Sequence, residues 1–240
     1  MLSRLQSGLR RVVTLQEPLV WVCLFMVSAG VFIFAKLTSE MMEGETHGFD
    51  NTILLILRQT GNPDVPIGPA WLTKAFGDIT SLGGITVLSL ITLFVVIYLM
   101  LRRSHRAAFF VLGSILGGCL LSSALKLGVA RPRPDLVPHL VEVYDFSFPS
   151  GHAMVSAVTY LTLGALLSRF EERGALRIYY LGAALLLTML IGTSRVYLGV
   201  HYPTDVLGGW CAGIAWASLC WLVARRFLPR RAMRSPEQEI

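Results

Sequence analysis

Long apolar segments separated by short polar stretches dominate this 240-residue chain. A transmembrane helix needs about 20 consecutive, mostly apolar residues. Six segments approach that length, the fourth only when its polar N-terminal turn is included, and they cover approximately residues 18–35, 82–101, 107–125, 150–167, 175–193 and 204–224. The pattern predicts an all-α, polytopic membrane protein with six transmembrane helices.

The composition supports a membrane environment. Hydrophobic residues make up 54% of the chain, charged residues only 15%, and the mean hydropathy is +0.61. Soluble domains carry about 25% charged residues. The lipid bilayer is therefore the expected surrounding of this chain.

The chain is expected to form one membrane-embedded domain over residues 1–240, because no repeat or low-complexity tract divides it. Residues 36–81 predict an extracytoplasmic or interfacial connector, and residues 225–240 a cytoplasmic tail. Within the connector, residues 49–57 are expected to lie as a helix at the interface. A simple connector is favoured over a lid for lipid, because interfacial segments need no ligand to explain them.

Small residues inside the predicted helices carry packing information. Gly113-x3-Gly117 and Gly209-x3-Gly213 have the spacing that lets two helices approach closely. Contacts within one bundle are favoured over dimerisation, because a single motif of this kind is weak evidence for a partner chain. The oligomeric state is left open.

The distribution of basic residues predicts the orientation in the membrane. Most lysines and arginines lie in the N-terminal tail, at residues 102–106, at residues 168–177 and in the C-terminal tail, all on one side of the predicted bundle. The positive-inside rule places both termini in the cytoplasm and the opposite helix ends outside. The net charge of +6 is therefore interpreted as a topology signal, and no nucleic-acid partner is expected.

Three polar clusters interrupt the apolar pattern, and all of them fall at predicted outer helix ends. They supply the cations Lys126, Arg133 and Arg195. A phosphoryl group in transfer spreads charge over its oxygens, and fixed cations stabilise that charge. The Ser150 and Ser194 hydroxyls and the backbone N–H groups of the turn at Gly151, which leads into a helix, add hydrogen-bond donors. These residues predict a phosphate-binding site, with no metal or other cofactor.

Two histidines in the same clusters have different neighbours. His201 and Asp205 are four residues apart, so both side chains lie on one face of a helix start. Asp205 can hold one imidazole N–H and direct the other nitrogen, unprotonated, at phosphorus. His152 has no carboxylate at similar spacing, so it is the better candidate for the general acid.

The clusters resemble, in order and spacing, the signature motifs of the type 2 phosphatidic acid phosphatase superfamily. The strings are K-x6-R-P from Lys126, P-S-G-H from Pro149 and S-R-x5-H-x3-D from Ser194. The superfamily includes bacterial lipid pyrophosphate phosphatases, glucose-6-phosphatase and vanadium haloperoxidases. The apolar segments around the motifs resemble its six-helix membrane branch.

The resemblance implies a phosphohistidine at His201, oriented by Asp205, with His152 as acid and then base. It also implies a phosphate held by Lys126, Arg133, Ser150, Gly151 and Arg195. The expected activity is hydrolysis of a lipid phosphate or diphosphate at the outer face of a bacterial inner membrane. Undecaprenyl diphosphate is the favoured substrate, with phosphatidylglycerol phosphate and phosphatidate as alternatives.

Other interpretations of the same residues remain open. A lipid phosphotransferase would use the same phosphohistidine and pass the group to an alcohol. A transporter also places cations and histidines at helix ends, but it has no need of a linked acid, nucleophile and orienting carboxylate. His201 and Asp205 can also act as metal ligands, although no cysteine or further carboxylate cluster lies near them in the sequence. The soluble haloperoxidases are disfavoured by six spans.

Overall fold

The computed structural model describes residues 18–227, and about three quarters of these residues lie in helices. The predicted basic N-terminal tail and most of the predicted C-terminal tail lie outside the described residues. The helices are α1 (Pro18–Met42), α2 (His47–Ile56), α3 (Ala70–Ser81), α4 (Ile85–Leu101), α5 (His105–Val129), α6 (Gly151–Phe170), α7 (Gly174–Tyr197) and α8 (Pro203–Phe227). Strands β1 (Arg58–Gln59) and β2 (Asn62–Pro66) form a small antiparallel hairpin between α2 and α3.

The prediction of an all-α membrane protein with six spans is confirmed. Helices α1, α5, α6, α7 and α8 are each long and apolar enough to cross a membrane. The sixth span is the pair α3 and α4, which pass this test together and are bent by 45°. At the bend, a Cβ added to Gly83 would lie 2.4 Å from Ile191 Cγ2, so glycine allows α7 to pack directly against the break.

Helix α1 extends seven residues beyond its predicted end at residue 35, as far as Met42. Lys36 and Glu40 form an ion pair of 3.4 Å one turn apart, which is the spacing that supports a helix in a polar environment. The connector that was predicted to begin at residue 36 therefore begins after Met42.

Helix α8 packs against α1 and α6 through small residues. A Cβ at Gly30 of α1 would lie 2.8 Å from Cys211 O, and one at Gly213 of α8 would lie 2.7 Å from Met154 O of α6. The Gly209-x3-Gly213 pair therefore serves packing inside the bundle, as predicted. At the other pair, Gly117 faces the Trp216 ring, whereas a Cβ at Gly113 would have no atom within 4 Å.

The connector packs onto one end of the bundle. Residues 49–57 largely form the predicted helix, α2, but Asp50 and Leu54 on it are fully buried. Leu54 lies in an apolar cluster with Ala153 of α6 and Val206 of α8. One face of α2 is thereby held against the first turns of α6 and α8, where the polar clusters lie.

Candidate active site

The predicted site residues converge at the end of the bundle where α5 and α7 finish and α6 and α8 begin. Lys126 occupies the last turn of α5 and Arg195 the last turn of α7. His152 occupies the first turn of α6, and Asp205 the first turn of α8. Residues 198–202 join α7 to α8, and the longer loop of residues 130–150 joins α5 to α6, so these four ends lie on the same side of the bundle.

A cavity of about 650 Å³ opens among these helix ends. Its lining includes most of the predicted site residues, namely Lys126, Arg133, Gly151, His152, Arg195 and His201. Ser150 and Asp205 are fully buried and lie behind that lining. A more apolar cavity of about 420 Å³, at the opposite helix ends, contains none of the predicted site residues.

His201 is held from both ring nitrogens. Its Nδ1 lies 3.4 Å from Asp205 Oδ2, and its Nε2 lies 3.3 Å from Arg133 Nη1. A proton on Nδ1 satisfies both contacts, because the carboxylate accepts and the guanidinium donates. Burial lowers the pKa of His201 to about 4 against the opposing effect of Asp205, with Arg133 and Arg195 lowering it further. The ring is therefore neutral near pH 7, with Nε2 unprotonated at the cavity.

Asp205 is fixed by four neighbours besides His201. Oδ2 accepts hydrogen bonds from the Ser147 hydroxyl and from the Tyr202 backbone N–H at 2.8 Å. Oδ1 accepts from Arg131 Nη1 at 2.6 Å. In addition, the Asp205 carbonyl accepts from the Ser150 backbone N–H at 2.9 Å. This carboxylate is fully buried and cannot turn away from His201 without losing several bonds.

Lys126 and Arg133 share one carboxylate of the chain itself. Lys126 Nζ donates to Asp145 Oδ2 at 2.5 Å and to the Phe146 carbonyl at 2.8 Å. Arg133 donates through Nη2 to the other oxygen of Asp145 and through Nη1 to the Val200 carbonyl. Burial alone would raise the pKa of Asp145, but these two cations hold it below its ordinary value. An oxyanion thus lies between both cations, beside His201.

Arg195 is positioned by the bent span. Its Nη1 donates to Thr80 Oγ1, in the last turn of α3, at 2.8 Å. Its Nε is buried and has no hydrogen-bond partner among the described residues. Since Arg195 also lines the cavity, part of its donor capacity is free for an anion there.

The remaining predicted donors differ in their surroundings. A Cβ at Gly151 would lie 3.4 Å from Lys126 Cε, so glycine keeps the start of α6 open next to the ammonium group. The Ser150 hydroxyl is buried and has no hydrogen-bond partner within residues 18–227. The Ser194 hydroxyl, expected to face the phosphate, instead donates to the Ile191 carbonyl at 2.6 Å, because a serine inside a helix can bond to its own preceding turn.

Five residues around the site were not anticipated. Asp50, Thr80, Arg131, Asp145 and Ser147 all contact a predicted site residue or its direct neighbour. Two of them could have been noticed in the sequence. Arg131-Pro132 precedes a second Arg-Pro pair, and Asp50 is a charged residue within an apolar helix pattern. The other three depend on contacts between distant segments, which spacing along the chain does not encode.

The arrangement provides an unprotonated imidazole, an orienting carboxylate, a second imidazole and three cations around one cavity. This set fits nucleophilic attack on a phosphoryl group whose charge is held by fixed cations. In the part of the chain that the structure describes, no three His, Cys, Asp or Glu side chains group together as metal ligands would. Within residues 18–227, no third such side chain lies with His201 and Asp205 to complete a metal site.

Comparison with known proteins agrees with this chemistry. A family model described as the PAP2 superfamily matches residues 106–229. The phosphatidylglycerophosphatase B of Bacillus subtilis is 34% identical over 153 residues, which cover 62% of this chain and 74% of that protein. An undecaprenyl-diphosphatase of Sulfolobus acidocaldarius is 30% identical over 125 residues, covering 50% of this chain and 56% of that protein.

The fold is also similar to a solved structure. The crystal structure of a transmembrane PAP2 type phosphatidylglycerolphosphate phosphatase from Bacillus subtilis matches with a TM-score of 0.75 and 27% identity. The match covers 86% of this chain and 99% of that one. The chain therefore belongs to the PAP2 superfamily and is a multi-pass membrane phosphatase that hydrolyses phosphoric esters of lipids.

Proposed function

We propose that this phosphatase works through a covalent phosphohistidine at His201. The observation that carries the proposal is the placement of His201 Nε2, 3.3 Å from Arg133 Nη1, at a cavity that Lys126 and Arg195 also line. A nucleophile and the groups that hold a phosphate thus face the same space. The carboxylate of Asp145 between Lys126 and Arg133 supports this role, because both cations already donate to the oxygens of an oxyanion.

In the first step, His201 Nε2 attacks phosphorus and the bond from phosphorus to the lipid oxygen breaks. His152 donates a proton to that oxygen, and the lipid leaves as an alcohol or, from a diphosphate, as a monophosphate. Asp205 stabilises the positive charge that develops on the His201 ring. Lys126, Arg133 and Arg195 stabilise the charge on the three equatorial oxygens, with the backbone at Ser150 and Gly151 as further donors.

In the second step, water attacks the phosphohistidine from the side that the lipid has left. His152, now neutral, takes a proton from this water, and the bond from phosphorus to His201 breaks. Inorganic phosphate leaves, and both histidines return to their starting protonation states. The cycle needs no redox partner and no group beyond the substrate and water.

The substrate is proposed to be an anionic lipid whose terminal phosphate enters the cavity while its chains stay in the bilayer. Similarity to the Bacillus subtilis phosphatidylglycerophosphatase B over 74% of its length makes phosphatidylglycerol phosphate the first substrate to test. Undecaprenyl diphosphate, favoured from the sequence, is the second, and the Sulfolobus acidocaldarius relative supports it. In both, a charged headgroup is joined to apolar chains, as a site at helix ends requires.

The site is proposed to face the outside of a bacterial inner membrane, with both termini in the cytoplasm. The basis is the excess of basic residues in the connections at the opposite helix ends, at residues 102–106 and 168–177.

The test is a panel of lipid phosphates offered to the purified protein in detergent, with released phosphate measured for wild type and Asp205→Asn. We expect release by wild type and a loss of about 10⁴-fold in the variant, because an amide holds the wrong tautomer of the histidine. A parallel reaction with an added lipid alcohol detects phosphotransfer. Absence of release from every lipid, or wild-type turnover in Asp205→Asn, would contradict the proposal.

A further inference from the structure

A buried chain of two ion pairs extends behind the proposed nucleophile. Arg131 donates through Nη1 to Asp205 Oδ1 at 2.6 Å and through Nη2 to Asp50 Oδ2 at 2.7 Å. Asp50 and Asp205 are both fully buried, and Arg131 is 6% exposed. One guanidinium therefore lies between two carboxylates, one from the connector helix α2 and one from the catalytic helix α8.

Among the described residues, the contacts of the Asp50 carboxylate are all with donors. Oδ1 accepts from the Thr204 backbone N–H at 3.0 Å, and Oδ2 accepts from the Thr204 hydroxyl at 2.6 Å as well as from Arg131. The Arg131 guanidinium in turn stacks on the Tyr202 ring, with Cζ 4.2 Å from the ring centroid.

The charge balance of this cluster bears on the chemistry at His201. If Arg131 faced Asp205 alone, its positive charge would cancel the carboxylate that must stabilise a cationic ring during attack on phosphorus. Asp50 provides Arg131 with a second counter-charge, so the three groups together keep one net negative charge beside His201. In a buried site such a charge is screened only weakly.

We infer that Asp50 is a positioning residue of the catalytic machinery, which acts through Arg131 to preserve the negative charge that Asp205 presents to His201. This role deepens the proposed phosphohistidine mechanism and rests on it. It also gives the connector a function: α2 supplies part of the electrostatics of the active site, although it touches no substrate group. If Asp50 only supported the fold, restoring the net charge of the cluster with a second substitution would not restore kcat.

The experiment compares Asp50→Asn, Arg131→Gln and the double variant in the same detergent. Asp50→Asn keeps the shape of the side chain and removes its charge, whereas Arg131→Gln removes the opposing charge. The double variant restores one net negative charge with neutral hydrogen-bonding side chains, an exchange that buried ion pairs often tolerate. Glu40→Gln, which removes a carboxylate from the exposed pair with Lys36, is the matched control.

We expect kcat of Asp50→Asn to fall at least about tenfold with a change in KM of less than about twofold, because the loss is confined to the transition state. The double variant is expected to recover kcat to within about threefold of wild type, as coupled neighbours do in a double-mutant cycle. Glu40→Gln should match wild type. Thermal unfolding of each variant separates lost activity from lost structure.

A double variant no more active than the weaker single variant would overturn the inference. So would an Asp50→Asn variant with wild-type kcat. If Asp50→Asn does not fold, the double variant is compared with wild type: kcat within about threefold is expected because the net charge is the same, and a larger loss would overturn the inference. Wild-type activity in His201→Ala would contradict the proposed function itself. If His201→Ala is inactive and kcat is not recovered in the double variant of Asp50 and Arg131, only the role of Asp50 is contradicted.

Discussion

The two histidines of the site lie in different surroundings. His201 is 1% exposed and has a contact at each ring nitrogen. His152 lines the cavity and, among the described residues, has no carboxylate contact like the one between His201 and Asp205. The first environment suits the proposed nucleophile, and the second leaves a ring that can exchange protons with substrate and water, as the proposed acid requires.

The proposed acid role of His152 predicts a dependence on the leaving group. General-acid help matters most when the departing oxygen is strongly basic. His152→Ala should therefore lose about 10²- to 10⁴-fold on a phosphatidate-like monoester, but much less on p-nitrophenyl phosphate. The measurement is kcat for both substrates, with retained vanadate binding as the control for an intact pocket. Equal losses on the two substrates would assign His152 to phosphate binding alone.

Asp145 occupies the space between Lys126 and Arg133 that the proposed mechanism assigns to phosphate oxygens. A substrate must displace this carboxylate or share the two cations with it. Asp145→Asn should therefore lower KM several-fold, because a neutral amide competes less well for the cations, and should change kcat less. Steady-state kinetics test this, with Glu142→Gln as the control for an exposed charge in the same loop. A raised KM in Asp145→Asn would show instead that Asp145 helps to hold the lipid headgroup.

At the scale of elements, the active site depends on how closely α6 and α8 approach. A Cβ at Gly209 would lie 2.7 Å from the Ser150 carbonyl, and one at Gly213 the same distance from the Met154 carbonyl. Gly209→Ala and Gly213→Ala should each destabilise the protein by about 1–3 kcal/mol, because backbone atoms cannot move aside. Gly113→Ala is the control, since its Cβ meets open space. Thermal unfolding in detergent measures the difference; equal stability of all three variants would contradict this packing.

The sequence predicted the helices because their apolar runs are long. The candidate site residues could be named because the motif residues are close together within each cluster, and most of them line one cavity in the structure. The sequence did not predict the chain of two ion pairs in which Arg131 joins Asp50 to Asp205, because these residues are far apart along the chain. The bend between α3 and α4 was also missed, since it arises where Gly83 meets Ile191 of α7. Local patterns encode elements, whereas contacts between distant elements depend on the folded bundle.

At the scale of the whole molecule, all catalytic groups lie at one end of the bundle, so orientation decides which leaflet supplies the substrate. Tyr144 is 91% exposed in the loop beside the site, and Glu172 is exposed at the opposite helix ends. A membrane-impermeant thiol reagent applied to intact cells should label Tyr144→Cys and spare Glu172→Cys until the membrane is opened. The unsubstituted protein, treated in the same way, shows how much label the four native cysteines take up. The reverse labelling pattern would contradict the proposed outward-facing site.

The most direct test of the central claim is to trap the covalent intermediate. Wild type mixed with a lipid carrying a labelled terminal phosphate, and quenched within one turnover in alkaline denaturant, should retain label on the protein. That label should be stable in base and lost in acid, as expected of a phosphorus–nitrogen bond, and it should be absent from His201→Ala, which should also release no phosphate. Label or turnover that persists in a folded His201→Ala variant would contradict the account.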